Sequence, residues 1–315
     1  MLEVIGLVAP LFTLILLGYI SARIVRIPLE GLAWLNFFII YIALPPLFFK
    51  YLSVTPLSEF GNTTFLFCAT GATFFIFMLC FSIARLSGRA NTRESTIQGL
   101  AGAYGNIGYL GPPLAIAAFG PQAGVPVALI FCLDNTMHFI MAPLLMSLGS
   151  AKREAWIKVI GRILKNIFTH PFIISTIVGL LAAYYQYQPP GPVNTLLDSL
   201  AAAAAPCALF ALGVTAAIRP LKRIPIDLAY LLPIKLLLHP LAVYLAISWV
   251  PDVPDYWVYS AVLLASLPTA TNVFVIAQNY QVWEQRASSM IVISTVISVF
   301  TVTGFLYLAR NGFLL

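Results

Sequence analysis

Ten apolar runs of about 20 residues, parted by links too short to hold a core of their own, constrain this chain more than any other feature. They lie near residues 3–22, 30–49, 63–85, 96–119, 123–148, 167–186, 193–217, 226–249, 256–279 and 288–309. Hydrocarbon offers a backbone no hydrogen-bond partners, so each run must satisfy its own peptide groups as a helix. The expected fold is an all-α polytopic membrane protein with ten transmembrane helices. The chain is 60% hydrophobic and 9% charged, against roughly 25% charged in a soluble domain, which excludes that class. Cys68, Cys80, Cys132 and Cys207 stand singly inside apolar runs, with no CxxC pair and no histidine at ligand spacing. They read as packing residues, and neither a metal nor a cofactor is expected. The N-terminus carries Glu3 and no basic leader region, so its first helix should be retained and not cleaved.

The net charge of +6 invites a nucleic-acid reading, but its distribution argues for topology instead. Arg23 and Arg26, then Arg85, Arg89 and Arg93, then Lys152, Arg153, Lys158, Arg162 and Lys165, then Arg219, Lys222 and Arg223, then Arg286 all fall in alternate links. The opposite links hold only Lys50 and Arg310. Basic links stay in the cytoplasm, so both termini should lie on the other side, in the inner membrane of a bacterium. Residues 151–166 form the longest polar link, in which Lys158, Arg162 and Lys165 recur at helical spacing opposite Trp156, Val159, Ile160 and Ile163. This reads as a cytoplasmic amphipathic helix on the bilayer surface, either a plain connector carrying orientation charges or a lipid-head-group contact.

Run four contains its own interruption, Asn106 to Gly120, NIGYLGPPLAIAAFG. Pro112 and Pro113 lack amide donors, Gly108 and Gly111 favour non-helical backbone, and together they are expected to stop the helix within the membrane. Run nine repeats the interruption in SLPTATNVFVIA, where Pro268 breaks the run and Thr269, Thr271 and Asn272 supply polar groups. Pro112 and Pro268 are 156 residues apart, while Pro45 of run two and Pro206 of run seven are 161 apart. Matched order and spacing predict two inverted five-helix repeats, residues 1–150 and 167–315, whose broken helices four and nine cross. A broken helix is tolerated only where protein or a polar cavity covers it, so the crossing is the expected binding site. Half-helix N-termini there would favour an anion, with Asn106 and Asn272 as neutral partners.

Other polar groups inside the runs point the same way. Asp134, Asn135 and His138 lie in FCLDNTMHFIM near the middle of run five, with Asp134 and His138 on one helix face. A carboxylate at that depth should face the protein interior, find a partner or take up a proton. Its alternatives are a substrate or ion site and a structural Asp/His lock between helices. Lys235 and His239 repeat the four-residue spacing in run eight. Lys235 either meets an anion or carboxylate within the protein or snorkels towards the cytoplasm. Asp198 reads as a solvated group at the outer end of run seven, and His170, before Pro171, as a local helix cap.

At these residues the chain resembles the auxin efflux carrier family, which includes the plant PIN carriers and bacterial carriers for malonate and other carboxylates. The resemblance rests on LLGYISAR, IALPPLFF, NIGYLGPPL, THPFIISTIVGLL, APCALFALGV, IKLLLHPL and LPTATNVFVIAQNY, in that order over nearly the whole chain. It implies a scaffold of spans one, two, six and seven and a transport unit of spans three to five and eight to ten. It further implies a pocket beside the crossover prolines Pro112 and Pro268, lined by Asn106, Asn272 and polar residues of span five, and a homodimer held by the scaffolds. The long cytoplasmic loop of the plant carriers is absent, and span three has no acidic residue. A small mono- or dicarboxylate therefore fits better than auxin.

The expected function is a secondary active transporter of the efflux-carrier type, moving a small organic anion by elevator-like alternating access. The chain lacks the GxxxxGK[ST] loop that ATP hydrolysis would need. An alternative is a sodium- or proton-coupled symporter or antiporter of the bile-acid or sodium/proton exchanger type, with Asp134 at the ion site. A membrane-embedded enzyme using Asp134 and His138 is the weakest reading, because no GxSxG or HExxH motif accompanies them and that chemistry needs no paired helix breaks.

Overall fold

The computed structural model of the chain describes residues 2–26, 29–56, 61–150, 155–218 and 225–311, and these are helical apart from short links and turns. In chain order the helices are α1 (Leu2–Val25), α2 (Leu29–Phe37), α3 (Leu44–Ser53), α4 (Thr63–Leu86), α5 (Thr92–Ala103), α6 (Ile107–Phe119), α7 (Gly124–Leu148), α8 (Trp156–Phe168), α9 (Pro171–Tyr184), α10 (Gly191–Ile218), α11 (Leu228–Pro233), α12 (His239–Ile247), α13 (Asp255–Ser266), α14 (Thr271–Asn279) and α15 (Glu284–Arg310). Each of the ten apolar runs falls on one of these helices or on a joined set of them. Seven stretches among the described residues are long and apolar enough to cross a bilayer, and the pair α8 and α9, bent by 56°, makes up to an eighth.

The burial pattern is that of a protein dissolved in lipid. Phe67, Phe75 and Phe300 are exposed while Lys235 is fully buried and Asp134 nearly so. Such a surface would be an aggregation hazard in water but suits acyl chains. Helix α8 has Trp156, Ile157, Ile160, Leu164 and Phe168 exposed and Val159 buried.

Helix α1 runs along α10, and α3 along α9. In the first pair, Gly18 sits against the carbonyl of Phe210 and Gly213 against that of Ile15, so any side chain at either glycine would collide with the partner backbone. Close approach through glycine is a common source of helix association in lipid, where no hydrophobic drive operates. Lys50 of α3 is ion-paired with Asp198 of α10, so Asp198 is half-exposed, as the sequence suggests, but has a partner.

Two π-helical turns went unforeseen. Phe38–Ala43 joins α2 to α3 just ahead of Pro45 and Pro46, and Ile234–Leu238 joins α11 to α12 just ahead of Pro240. A proline withholds one ladder bond from the preceding turn, and a widened turn is one way to absorb the defect. Pro206 leaves α10 continuous.

The break in run four is displaced from its expected place. Pro112 and Pro113 lie buried inside α6, and the chain leaves the helix earlier, at Tyr104–Asn106, where Tyr104 is extended with φ −75° and ψ 96°. The prolines cost α6 only the bonds to the carbonyls of Gly108 and Tyr109, a loss that neighbouring helices make tolerable in a membrane. Run nine breaks where expected, between Ser266 and Thr271 around Pro268. The two breaks meet as a short antiparallel bridge of Gly105 with Thr269. The Asn106 amide donates to the Pro268 carbonyl at 2.8 Å, and the Ala270 amide to the Tyr104 carbonyl at 2.9 Å.

Candidate functional site

Two extended segments facing each other inside a bilayer solve a bookkeeping problem, since each supplies the partners the other lost by leaving its helix. Their pairing also fixes where the next helices start. Helix α6 begins at Ile107 and α14 at Thr271, and both N-termini open on one small cavity lined by Tyr104 to Asn106, Gly108 and Ala270 to Asn272. The first amides of each helix have no intrahelical acceptor and carry its positive dipole end. The rest of the lining is Ile40 from the first π turn, Tyr109, Phe131, His170 and Phe172.

The polar groups here divide into committed and free ones. The Tyr104 hydroxyl donates to Asn135 Oδ1 and accepts from Asn272 Nδ2 at 3.0 Å. Asn135 Nδ2 in turn donates to the Phe131 carbonyl at 2.9 Å. The His138 ring stacks on Tyr104 with centroids 4.1 Å apart, and its Nδ1 donates to the Asp134 carbonyl at 2.6 Å. Asn106 is 3% exposed, yet its Nδ2 has no hydrogen-bond partner among the described residues, and neither does His170 Nδ1. A buried amide donor left unpaired costs about 1–3 kcal/mol. Asn106 also lines the cavity on which the two helix N-termini open.

The cavity is only ≈ 30 Å³, room for about two waters, so anything larger would need its walls to part. The lining comes from several runs. Ile40, His170 and Phe172 come from the run two π turn and the start of α9, whereas the breaks come from runs four and nine. The Tyr109 hydroxyl donates to Asn36 Oδ1 of α2 at 2.8 Å and ties run four to run two.

A model of the membrane transport protein family matches residues 3–306. The chain belongs to this family, that of the auxin efflux carriers. It is therefore a membrane transporter and not an enzyme. A relative in Rhizobium meliloti (strain 1021), named "Putative malonate transporter", is 53% identical over 99% of this chain and 98% of its own length. A Methanothermobacter thermautotrophicus protein named "Uncharacterized transporter" is 29% identical over 93% of this chain and 94% of its own. An Escherichia coli (strain K12) "Uncharacterized transporter YfdV" is 23% identical over 97% and 98%.

Within this auxin efflux carrier chain the candidate residues separate into three places. Asn106, Gly108, Thr271 and Asn272 line the cavity. Asn135 and His138 stand one layer behind it, holding Tyr104. Gly111, Pro112, Pro268 and Thr269 are structural neighbours: Gly111 packs against Leu264, the Thr269 hydroxyl donates to the Ala101 carbonyl at 2.7 Å, and the Thr269 amide donates to Ser294 Oγ at 3.1 Å. Asp134, Lys235 and His239 lie apart from the cavity lining. Lys235 does not snorkel: its Nζ is held at 2.8 Å by the Ala265 carbonyl and at 3.0 Å by His239 Nδ1.

His170 occupies the N-cap position of α9, but its side chain makes no capping bond and lines the cavity instead. The HisPro dipeptide gives the helix start correctly and says nothing of where the ring points. Tyr104 and Thr73 had no signal in the sequence beyond being polar groups in apolar company.

Proposed function

We propose that this carrier moves a small carboxylate, malonate first among the candidates, by elevator-like alternating access around the meeting of its two broken helices. The observation that carries the reading is the convergence of two helix N-termini and the unpaired Asn106 amide donor on one enclosed cavity, an arrangement suited to a carboxylate. The name of the Rhizobium meliloti relative supports malonate within that class. Asn106, Thr271 and Asn272 would hold the anion with the first amides of α6 and α14, while Ile40, Phe131 and Phe172 exclude water.

Internal symmetry supports ten spans in two inverted halves. Exchanging the halves turns the α1–α10 pair into the α9–α3 pair, and turns the pairing of the two breaks into itself; both pairings are present. Runs one, two, six and seven then form the scaffold and the rest the moving unit, with the Tyr109–Asn36 bond released at each stroke. The same reading places both termini outside the cytoplasm of a bacterial inner membrane, in a scaffold-held homodimer.

The test is a thermal-shift series on purified protein with malonate, succinate, acetate and chloride, followed by malonate uptake in proteoliposomes. A ligand that binds the native state raises its stability in proportion to occupancy. Malonate should give the largest shift, and uptake should saturate. Absence of both shift and uptake for every carboxylate would remove the proposal.

A further inference from the structure

The ionisable groups left outside the cavity are not scattered. Lys235 is 0% exposed, His239 2%, Thr73 3% and Asp134 4%, and the four are joined end to end. Lys235 Nζ lies 3.0 Å from His239 Nδ1, His239 Nε2 lies 3.2 Å from Thr73 Oγ1, and Thr73 Oγ1 lies 3.3 Å from Asp134 Oδ2. No ion pair within 4.0 Å joins the lysine and the carboxylate, so hydrogen bonds are the link between them. Asp134 Oδ1 has no hydrogen-bond partner among the described residues.

The chemistry of the chain gives it a direction. An ammonium at Lys235 donates to His239 Nδ1, which leaves the imidazole proton on Nε2 to donate to Thr73 Oγ1. The hydroxyl of Thr73 then donates to Asp134, in competition with the Ala69 carbonyl at 3.3 Å. If the carboxyl carries a proton and the amine is neutral, every bond can reverse. Passing one proton from end to end interconverts the two forms with no other atom moving far. A further proton from outside gives a carboxylic acid together with an ammonium, one positive charge more, and its departure restores the starting state.

We propose that Lys235, His239, Thr73 and Asp134 are a proton-binding site that takes up one proton with the substrate anion and releases it on the opposite side. Buried ionisable residues within a membrane commonly mark such relays. A sodium ion suits the place poorly, because a hard cation takes oxygen ligands and the chain from Asp134 leads to an imidazole and an ammonium. Both ends of the chain touch the cavity's frame. Lys235 holds the carbonyl of Ala265 at the end of α13, and a side-chain carbon built on Gly105 would lie 3.4 Å from its Nζ. Asp134 holds His138 through its carbonyl, and His138 stacks on Tyr104.

The groups that face this chain from the packed elements are few. Helix α4 contributes Thr73, Cys80, whose thiol faces Lys235, and Thr70, which faces Asp134; α7 contributes Asp134 and His138; the second π turn and α12 contribute Lys235 and His239. Tyr104 faces Asp134 from the break. Helix α13 offers a neutral group at this point, the Ala265 carbonyl.

Two measurements separate the proton site from its coupling, which rests on the carboxylate reading above. Infrared difference spectra of substrate-free protein during a pH titration should show a carboxylic-acid C=O band that is missing in Asp134→Asn. In Thr73→Val, which keeps both charged ends and a similar shape, the same band should be displaced. A wild-type spectrum with no titrating carboxyl while the protein stays folded overturns the site, whatever the variants do. Malonate titrations in buffers of different ionisation enthalpy, at a pH where malonate is fully ionised, should give uptake of about one proton per malonate, hence about a tenfold loss of affinity per unit rise in pH. Malonate bound with no proton exchanged overturns the coupling. If malonate does not bind at all, the carboxylate reading has failed, and the infrared titration alone decides the proton site.

Discussion

The two breaks do the same job with different sequences. The later one, Leu267 to Ala270, contains Pro268 and Thr269; the earlier one, Tyr104 to Asn106, contains no proline, although two follow within the next helix. Each supplies one amide and one carbonyl to the other. What holds a chain out of its helix here is thus the partner break more than the local residue type. Proline makes departure cheap in run nine, and the bridge to run nine then stabilises departure in run four.

The sharpest way to break that comparison is to remove one bond of the bridge at a residue whose own φ already suits proline. Ala270 already has φ −65°, the value proline imposes, so Ala270→Pro deletes the amide that binds the Tyr104 carbonyl and places a ring carbon where its hydrogen was. The expected loss is about 2–3 kcal/mol of stability, read from thermal unfolding in detergent. An unchanged melting curve would mean that the bridge does not hold the crossing.

The asparagines that flank the breaks differ next. Asn106 Nδ2 is unpaired, whereas Asn272 Nδ2 is bound to Tyr104. Asn106→Ala removes no protein bond, so it should weaken malonate binding by roughly 10- to 100-fold, the worth of a hydrogen bond to a charged group, with melting behaviour close to wild type. Asn272→Ala should show the opposite balance, about 1 kcal/mol less stability and a smaller change in affinity than Asn106→Ala. Calorimetry and thermal unfolding on the same two preparations check both, and equal profiles for the pair would show that the free and committed amides are equivalent.

The same contrast shows what a reader of the sequence can and cannot see. The helices are legible because the apolar runs are long and hydrocarbon permits little else. The break at Pro268 is legible because the residue responsible lies within it. The break at Tyr104 is not, because its cause is a hydrogen bond to residues more than 160 positions away. Asn106 and Asn272 stand out as amides in apolar runs, but Thr73 does not, since a hydroxyl in a membrane helix ordinarily bonds its own preceding turn. The four-residue spacings of Asp134 with His138 and Lys235 with His239 are visible separately. That Thr73 joins one pair to the other depends on how α4 packs against α7 and α12.

Pro112 provides the smallest and most discriminating change. If the prolines of α6 caused the break in run four, Pro112→Ala would let the helix grow back towards Tyr104 and would disturb the cavity. The structure gives no such role to the ring, which is buried in a helix that continues through it. Alanine would restore one amide for the Gly108 carbonyl, a gain of about 0.5–1.5 kcal/mol. It would also free the unfolded chain, a loss of about 0.4–1 kcal/mol, and would give up the packing of the ring. These nearly cancel, so stability should change by less than about 1 kcal/mol, and malonate affinity should stay within the range of the wild type. A large loss of binding on Pro112→Ala, with the bridge variant Ala270→Pro still binding, would reverse the assignment and return the cause of the break to the prolines.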